Sequence, residues 1–516
     1  PWHDEGAALT VAKTLVEDGY YGVRTSEGYQ TFGPVQSVGP TVLLPIALTF
    51  RLFGVGLLAG RVVAAAFALG TLALFYLAAR RLFGRRAAWL GTVLMVSSPT
   101  VNFIHWGRQA LGEIPAFGFL LAGWLVWSGG ACGKPRVRHL LAGLLWGAAI
   151  VTKSHYLITI LGTVALLALL DLLHYRTGAW RGLLVAAAAA LACVAAWWGW
   201  QMLYYGMPTF RENAAKLAEL GARTSGFSPS TSLNALRSIV GASGPLYYFW
   251  FLPGFAYACL IAAGKQNGDL SLHFLIVFVI LVLSYYLLIS NPWSHYALPA
   301  FAILGILVGK MLGDLLQALV RAAPTLRRHV AEALRLRQHL ALEDTLALGT
   351  LVAVATMTLL MAGQFQSLVR IDVLDRAGLG SAPRRIPQLQ APYQAASLLS
   401  ALAQGGAVVD TWERELGILT TVTFHYPDQS LLAPAHAAIY RGGPHDYALG
   451  EDYFREHRPT FVVVGWFARW LGAYDMDYLR QNARLVGSVG EGEWRYDIYR
   501  LSAPIAEGRV DADGVS

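Results

Sequence analysis

The stretch "SVGPTVLLPIALTFRLFGVGLLAGRVVAAAFALGTLALFYLAARRLFGRRAAWLGTVLMVSSP", residues 37–99, decides the fold. Most of it is apolar, and four of its arginines collect in one short segment, "RRLFGRR", at 80–86. A helix that crosses a bilayer needs about 20 mostly apolar residues. Residues 57–79 and 87–106 meet that requirement on either side of the basic segment. The pattern therefore predicts two transmembrane helices joined by a basic loop.

The composition of the whole chain agrees with this interpretation. Of its 516 residues 55% are hydrophobic and 14% are charged, whereas a soluble protein carries about 25% charged residues. The net charge of +8 does not imply a nucleic-acid partner, because membrane topology itself requires Lys and Arg in the cytoplasmic loops. The three cysteines, Cys132, Cys193 and Cys259, form no CxxC pair and give little support to a disulfide or a zinc site.

Eight further segments complete a set of ten predicted spans: 114–128, 139–152, 156–173, 182–204, 245–263, 271–290, 296–316 and 345–368. Basic residues concentrate in every second connecting segment, namely in the set 80–86, 133–139, 174–181, 264–269 and 317–344. Basic loops face the cytoplasm, so residues 1–56 and all residues after 368 are expected outside. An external start without a signal sequence leads us to expect an eleventh span upstream.

Residues 369–516 differ from the rest of the chain in composition. Strand-like runs occur at 406–410, 459–465 and 494–501, and helical patterns lie between them at 391–404 and 474–484. We predict four parts: a first extracytoplasmic loop with amphipathic interface helices, a transmembrane bundle, an extracytoplasmic α/β domain and a disordered tail. Their respective ranges are 1–56, 57–368, 369–504 and 505–516.

An acidic pair, Asp4 and Glu5, precedes a helical pattern of apolar residues: Ala8, Leu9, Ala12, Leu15 and Val16. The spacing predicts an amphipathic helix on the membrane surface. Asp4 could cap this helix while Glu5 complements its dipole. Alternatively, the two carboxylates are catalytic, and a capping position would also fix a carboxylate where a general base is needed.

The order of the motifs resembles that of the C-type-fold (GT-C) membrane glycosyltransferases. After the acidic pair come the segment 37–99, "WGRQALGEIPAFGFLLAGW" (106–124), "LLAGLLWGAAIVTKSHYLI" (140–158) and "SHYALPAFAILGILVG" (294–309). This order is similar to that of the bacterial relatives of protein O-mannosyltransferases, of ArnT and of the RgtA/B/C/D-like group (glycosyltransferase families 39 and 83). The resemblance covers residues 2–309, and an α/β domain after the last span also fits.

The resemblance implies an inverting transfer of a sugar from a polyprenyl phosphate to an acceptor hydroxyl on the extracytoplasmic face of the plasma or inner membrane. It places Asp4 at the base position, with Glu5 beside it, and Glu113 at a second acidic position. Three cations, Arg61, Arg108 and Lys153, are candidates for the phosphate, with snorkelling or anchoring of a span end as the alternative. His295 and Tyr296 are further substrate-binding candidates, although a structural histidine and an aromatic belt explain them as well.

The sequence departs from the family in its first loop. Several relatives carry a Lys-Pro pair there that serves the donor phosphate, and some place an arginine shortly after the acidic pair. Here the corresponding residues are Val38-Gly39-Pro40 and Gly6-Ala7. Phosphate handling must then fall to other residues or to a divalent metal, which is left open as a cofactor. Metal ligands cannot be assigned from the resemblance.

Two other functions remain as alternatives, a polytopic transporter and a polyprenyl-linked glycan polymerase or ligase. Most acidic residues lie in loops or at span ends, whereas transporters place ionisable groups near the middle of the membrane. Three acidic residues follow a predicted strand of the external domain, Asp410, Glu413 and Glu415, and we expect them on a solvated loop face of a domain that shapes acceptor access. The sugar and the acceptor (lipid, glycan or protein) are not determined by the sequence.

Overall fold

A computed structural model of the chain describes residues 3–31, 38–98, 101–129, 134–224, 229–243, 245–264, 269–290, 293–336, 387–403, 406–428, 431–441 and 446–502, with a few residues between 345 and 359. The described residues form two compact units. Unit 1 combines the described residues of 1–32, 55–57 and 385–516, and unit 2 those of 33–54 and 58–384.

The chain begins in unit 1 with helix α1 (His3–Glu17) and an antiparallel hairpin, β1 (Gly22–Thr25) and β2 (Gly28–Thr31). Eight consecutive residues of α1, 5–12, are all buried. A helix that lies on a membrane surface would instead keep one polar face exposed. The predicted single apolar stripe is therefore not observed. The physical reason is that α1 packs within unit 1, where the ammonium of Lys13 donates to the carbonyl oxygens of Gly417 and Thr420.

Unit 2 is built from helices of the apolar segments. They are α2 (Pro40–Phe53), α3 (Leu57–Ser97), α4 (Phe103–Gly107), α5 (Glu113–Ser128), α6 (Pro135–Thr152), α7 (Tyr156–Leu170), α8 (Ala179–Tyr205), α9 (Met207–Thr224), α10 (Pro229–Ser243), α11 (Pro245–Ala263), α12 (Ser271–Leu288) and α13 (Leu298–Leu336). A π-helical turn, Asp171–Tyr175, extends α7, and a 3₁₀ turn, Ser294–Ala297, precedes α13.

Five helical segments among the described residues are long and apolar enough to cross a membrane: Leu57–Ser97, Tyr156–Tyr175, Ala179–Tyr205, Ser271–Leu288 and Ser294–Thr325. Shorter apolar helices occupy Pro40–Phe53, Glu113–Ser128 and Phe251–Ala263. The fold class predicted from the sequence, a polytopic helical bundle with a small α/β domain, is confirmed. Most of the predicted span 345–368 lies outside the described residues.

Two details of the bundle differ from the sequence prediction. The segment predicted as the first cytoplasmic loop, 80–86, lies within α3, where Gly84 interrupts the helix with a φ of 83° and a ψ of 179°. Glycine adopts such a positive φ without steric strain, so the two predicted spans meet at a kink. The long connection predicted at 205–244 contains two helices, α9 and α10.

Unit 1 continues with α14 (Pro387–Leu402), β3 (Val408–Thr411), α15 (Leu416–Leu419), β4 (Thr423–His425), α16 (Leu432–Arg441), α17 (Glu451–His457), β5 (Phe461–Val464), α18 (Trp466–Leu471), α19 (Met476–Asn482), β6 (Ala483–Val489) and β7 (Tyr496–Leu501). Its described strands form a mixed sheet in the order β4-β3-β5-β7-β6. β3 is parallel to β4 and β5, whereas β7 is antiparallel to β5 and β6.

The predicted α/β character of the C-terminal region is correct, but the predicted division of the chain at residue 56 differs from the observed grouping. Residues 3–31 belong with the C-terminal α/β region in unit 1. The predicted boundary at 368 and the tail from 505 to 516 lie outside the described residues and stay predictions.

Candidate functional site

A buried ionic cluster in unit 2 joins three of the predicted site residues. Lys153 follows the last residue of α6, and its ammonium lies 2.6 Å from Oε1 of Glu113, the first residue of α5. Nε2 of His295, in the turn before α13, lies 3.6 Å from the same oxygen. The exposed fractions of these residues are 3% for Glu113, 7% for Lys153 and 6% for His295. The ammonium of Lys153 and the imidazole of His295 thus flank one carboxylate away from bulk water.

Aromatic rings enclose this ionic cluster. The ammonium of Lys153 lies 5.6 Å from the ring centroid of Tyr296, within the range of a cation–π contact. The rings of Trp106 and Tyr296 lie 4.8 and 4.5 Å from that of His295, and the ring of His155 lies 5.4 Å from that of Tyr296. The predicted substrate-binding pair His295 and Tyr296 is therefore part of the same cluster as Glu113.

The second oxygen of the Glu113 carboxylate, Oε2, is buried and has no hydrogen-bond partner among the described residues. A buried acceptor without a partner costs about 1–3 kcal/mol. Buried polar atoms are nearly always satisfied in native proteins, so an exception requires an explanation. A donor that arrives with a substrate would satisfy this oxygen.

The loop that lacks the family's Lys-Pro pair packs beside this cluster. The amide of Gly39 donates to the carbonyl of Thr152 at 3.0 Å, and the hydroxyls of Thr41 and Thr152 are 2.6 Å apart. A Cβ on Gly39 would lie 1.9 Å from the carbonyl oxygen of Val151. Only glycine therefore allows this approach, which brings the loop against the residue that precedes Lys153.

Two other predicted cations of unit 2 have different surroundings. Arg108 follows α4, and its guanidinium lies 3.4 Å from Nδ1 of His105, whose ring contacts Trp106 of the aromatic shell. This chain of contacts links Arg108 to the cluster around Glu113. Arg61 lies in the first two turns of α3 and is partly exposed, and its part in phosphate binding stays a prediction.

The acidic pair of the N-terminus lies in unit 1. Asp4 is in the first turn of α1 and partly exposed, whereas Glu5 is fully buried. Helix α1 begins at His3, so Asp4 lies inside the first turn and not at the N-cap position that the capping alternative assumed. A carboxylate in the first turn still stabilises the helix dipole.

The turn after β3 provides the surface against which α1 begins. A Cβ on Gly6 would lie 2.3 Å from the Cα of Glu415, and the ring of His3 stacks on that of Phe467 at 3.8 Å. Arg414 in this turn is buried, which lowers its pKa to about 10, and Asp4 is among the acidic groups that oppose this shift. The guanidinium therefore remains charged at neutral pH and supplies positive charge near Asp4.

The expectation that Asp410, Glu413 and Glu415 lie on a solvated loop face is wrong. Their exposed fractions are 0%, 1% and 3%. Asp410 accepts hydrogen bonds from the hydroxyls of Tyr453 and Tyr474 at 2.5 Å each. Because every one of these carboxylates has hydrogen-bond donors inside unit 1, burial is compatible with their polarity.

The carboxylates of Glu413 and Glu415 are both buried in this turn. Burial raises the pKa of Glu413 well above its usual range, and the neighbouring charge of Glu415 raises it further. Burial also raises the pKa of Glu415. Glu413 accepts the amide of Ala468 at 2.9 Å, and Glu415 accepts the hydroxyl of Tyr496 at 2.7 Å. These contacts fix the turn that carries Arg414 between the two.

Sequence reasoning missed this packed turn and the role of Gly39. The signal for the turn was the run "WERE" (412–415) directly after the strand "VVDT" (408–411), since three charges that follow a buried strand at once have little room to reach solvent. No sequence signal distinguished the close approach of Gly39 from an ordinary Gly-Pro loop.

Comparison with known proteins supports the resemblance drawn from the motifs. Residues 37–200 match the family model of dolichyl-phosphate-mannose-protein mannosyltransferases. This range includes Arg61, Arg108, Glu113 and Lys153. No curated protein sequence matches the chain.

Solved structures share the fold over nearly the whole chain. ArnT from Cupriavidus metallidurans in the apo state has a TM-score of 0.57 at 15% identity, over 96% of this chain and 93% of ArnT. The same protein bound to undecaprenyl phosphate gives 0.57 at 14% identity, over 97% and 94%.

The apo oligosaccharyltransferase of Archaeoglobus fulgidus has a TM-score of 0.53 at 14% identity, over 97% of this chain and 71% of the archaeal chain. All three structures therefore share the architecture of this chain at low sequence identity. The predicted recognition is confirmed: the chain is a multi-pass membrane protein with the fold of the GT-C glycosyltransferases.

Proposed function

We propose that this protein transfers a sugar from a polyprenyl-phosphate donor to an acceptor hydroxyl, with inversion at the anomeric carbon, on the extracytoplasmic face of the cell membrane. The observation that carries the proposal is the buried cluster of Glu113, Lys153 and His295. It occurs in a fold shared with a protein, ArnT, whose structure is known bound to undecaprenyl phosphate. The acceptor belongs to the lipids, glycans or proteins of the cell envelope.

Lys153 is the proposed contact for the donor phosphate. Its ammonium carries three N–H donors, and the pair with Oε1 of Glu113 engages one of them. A dianionic leaving group gains charge as the glycosidic bond breaks, and a pre-positioned cation stabilises that charge without reorganisation. Gly39 brings the loop backbone against the carbonyl just before Lys153, so the lysine that follows α6 is well placed to replace the missing cation of the loop.

Glu113 has a complementary role in this proposal. Its unsatisfied oxygen Oε2 is available to accept a hydrogen bond from a hydroxyl of the donor sugar. Its other oxygen holds Lys153 and lies near His295. A single carboxylate would thus orient both the sugar and the cation that receives the phosphate.

An apolar groove in unit 2 suits the isoprenoid chain of the donor. It has a volume of about 450 Å³ and lies among helices α2, α3, α5 and α6. Its walls include Pro45, Phe67, Leu74, Phe119 and Leu145. Burying apolar surface contributes about 25 cal/mol per Å², although a groove that faces lipid gains less because lipid tails already solvate the isoprenoid.

Asp4 is the proposed general base. Its carboxylate takes the proton of the acceptor hydroxyl while that oxygen forms a bond to the anomeric carbon. The bond from that carbon to the phosphate oxygen breaks, and polyprenyl phosphate leaves with the bonding electrons. Glu5 is fully buried, so its proposed role is to position the start of α1 and not to contact substrate.

The test is sugar transfer in proteoliposomes by the Asp4→Asn variant. Asparagine preserves the shape of the first turn but cannot accept a proton, and loss of a general base costs roughly 10²–10⁴ in rate. A panel of polyprenyl-phosphate hexoses and pentoses, with release of polyprenyl phosphate as the readout, avoids assuming one sugar. Glu17→Gln at the other end of α1 is the matched control and should keep full turnover.

Two results would contradict this assignment. If an Asp4→Asn protein melts like the wild type and retains its turnover, Asp4 is not the general base and only interacts with the helix dipole. Failure of the wild type to release polyprenyl phosphate from any donor of the panel would count against the transferase itself.

The proposed orientation has its own test. The three native cysteines are first replaced. Single cysteines are then introduced as Glu491→Cys in unit 1 and Arg85→Cys within α3, both at exposed positions. A membrane-impermeant thiol reagent added to intact cells should label the first position and not the second. Labelling only at position 85 would show that the orientation is the reverse of the one proposed.

A further inference from the structure

Three side chains of unit 1, none of them assigned above to transfer, converge on one point. They are Glu27, in the turn between β1 and β2, His425 at the end of β4, and His457 at the end of α17. One ligand atom of each lies within 4.8 Å of the others. We propose that these three residues bind a divalent transition metal, with zinc as the best match to the donor set.

The distances fit a shared metal ion. Nε2 of His425 lies 3.2 Å from Oε1 of Glu27, and Nε2 of His457 lies 3.8 Å from the same oxygen. Adjacent ligand atoms around a tetrahedral zinc, with bonds of about 2.0–2.1 Å, lie about 3.3 Å apart. The two observed separations bracket this value, so a metal ion can enter with small side-chain movements.

The outer hydrogen bonds of both histidines have the arrangement of metal ligands. Nδ1 of His425 lies 2.7 Å from the carboxylate of Asp410, and Nδ1 of His457 lies 3.0 Å from the carbonyl oxygen of Tyr453. Since a carbonyl or a carboxylate accepts, each Nδ1 carries a proton, and each Nε2 is the nitrogen that would present its lone pair to a metal ion beside Glu27. Metal-binding histidines are nearly always held in this way by a carboxylate or a backbone carbonyl.

Asp410 is itself held firmly for this positioning role. The hydroxyls of Tyr453 and Tyr474 each donate to its carboxylate at 2.5 Å, and the residue is fully buried. The parallel strands β3 and β4 place Asp410 directly opposite His425 in the sheet register. The imidazole therefore has one fixed orientation before any metal arrives.

The donor set and the access route indicate which ion would bind. Two imidazole nitrogens and one carboxylate oxygen suit zinc and its first-row neighbours, whereas magnesium and calcium prefer oxygen ligands alone. The Glu27 side chain is 62% exposed and that of His457 20%, which gives the ion an entry path from solvent. Three protein ligands leave a fourth tetrahedral position for water.

The metal would link the N-terminal and C-terminal segments of unit 1. Glu27 belongs to the hairpin after α1, while both histidines come from the C-terminal part of unit 1. The amide of Ser26 already donates to the carbonyl of Phe424 at 2.9 Å. A metal bond beside this contact would fix the hairpin on the sheet, and through it the helix that carries Asp4.

The experiment uses the full chain in detergent, stripped with a chelator and then titrated with zinc chloride alone. Bound zinc is measured by elemental analysis after gel filtration, affinity by competition with a chromophoric chelator, and stability by thermal melting. We expect one zinc per chain at this site and a higher melting temperature with zinc, because an ion that binds only the folded state stabilises it.

Four variants separate a metal site from an ordinary ion pair. Glu27→Gln and His457→Gln change partly exposed residues that folding tolerates, and each should abolish stoichiometric zinc binding. Asp410→Asn should weaken zinc binding about 10–100-fold, as loss of an outer hydrogen bond does. Glu451→Gln, on the same helix as His457 but paired with Arg455, is the control and should bind like the wild type.

Two outcomes would overturn the proposal. The first is a wild type that folds but retains no zinc after gel filtration, which would leave a hydrogen-bonded ion pair of Glu27 with the histidines. The second is zinc that remains at full stoichiometry and affinity in the His457→Gln and Glu27→Gln variants, which would place the ion elsewhere. Both results are independent of whether sugar transfer is observed.

Discussion

The protein buries carboxylates in two clusters, and the two clusters stabilise a buried carboxylate in different ways. In unit 2, Glu113 lies 2.6 Å from the ammonium of Lys153 and 3.6 Å from His295. In unit 1, Glu413 and Glu415 lie side by side and rely on backbone amides and the hydroxyl of Tyr496. A buried carboxylate must be neutralised by a cation or by a proton, and each cluster uses one of these solutions.

The difference indicates what each cluster is suited to do. A cation held by a carboxylate is ready to meet an anionic group. One carboxylate oxygen in each cluster, Oε2 of Glu113 and Oε2 of Glu415, is buried without a hydrogen-bond partner among the described residues, so the cation and not this oxygen distinguishes the first cluster. The pair of Glu413 and Glu415 has its donors from β7 and from the start of α18, so its hydrogen bonds hold the turn that packs on α1. The first cluster is suited to binding, and the second to supporting the helix of the acidic pair.

The largest expected effect is that of Lys153→Met, which removes the cation of the first cluster. It leaves the Glu113 carboxylate buried without its partner, and breaking a buried pair in this way costs about 3–5 kcal/mol. Thermal melting in detergent should show a large fall. The double variant Glu113→Gln/Lys153→Met removes both charges and should recover most of the melting temperature.

The transfer activity of this double variant distinguishes a role of Lys153 in donor binding from a role in stability alone. If Lys153 meets the donor phosphate, the double variant remains inactive although it is stable. Lys310→Met, which breaks the partly exposed pair with Asp314, is the control and should change stability by less than about 1 kcal/mol. A stable and fully active double variant would show that the first cluster serves stability alone.

The next prediction concerns the backbone support of the first cluster. In Gly39→Ala the new Cβ would lie 1.9 Å from the carbonyl oxygen of Val151, so the loop must move away from the end of α6. Forcing a group into a packed contact costs about 1–3 kcal/mol. Gly199→Ala, in α8 with open space around the position, is the control and should be neutral or slightly stabilising.

Transfer measurements sharpen this test. Gly39→Ala should raise the KM for the donor more than it lowers kcat, because it disturbs the segment beside Lys153. A Gly39→Ala protein with unchanged melting temperature and KM would show that the approach of the loop to Thr152 has no role in placing Lys153.

The helical bundle and the order of its parts could be predicted because the signals are local. Apolar runs of about 20 residues and basic loops follow from the physics of the bilayer alone. Glu113, Lys153 and His295 were separate candidates in the sequence, and nothing in it indicated that they pack together, since 182 positions separate Glu113 from His295 along the chain. Their contact in the structure depends on helix packing that no local pattern encodes.

The prediction failed where distant segments meet. The pattern of α1 suggested a membrane-surface helix because alternation of apolar and polar residues does not reveal what covers the polar face. The same reasoning placed Glu413 and Glu415 in solvent, because charged residues are almost never fully buried unless paired. Hydrogen bonds from the Ala468 amide and the Tyr496 hydroxyl supply what the sequence could not show.

The smallest predicted effect tests the second cluster through pH. The folded protein holds the pKa of Glu413 well above the ordinary 4.5, so above about pH 4.5 the unfolded chain releases a proton that the folded chain retains. Unfolding then becomes easier as pH rises, by about 1.4 kcal/mol per pH unit for one proton. This loss of stability begins near pH 4.5 and ends at the pKa of the folded state.

Glu413→Gln should remove this dependence, because its amide does not titrate while its oxygen can still accept the Ala468 amide. Other carboxylates contribute slopes of their own, so the informative quantity is the difference in melting temperature between variant and wild type. That difference should grow in favour of Glu413→Gln from pH 4.5 to 6, with hydrogen exchange at 461–471 reporting on unit 1 directly. Glu491→Gln, at an exposed position, should follow the wild type throughout. A constant difference for Glu413→Gln would mean that Glu413 is ionised when buried, and the contrast with Glu113 would then have to rest on a cation near Glu413, for which Arg469 is the candidate.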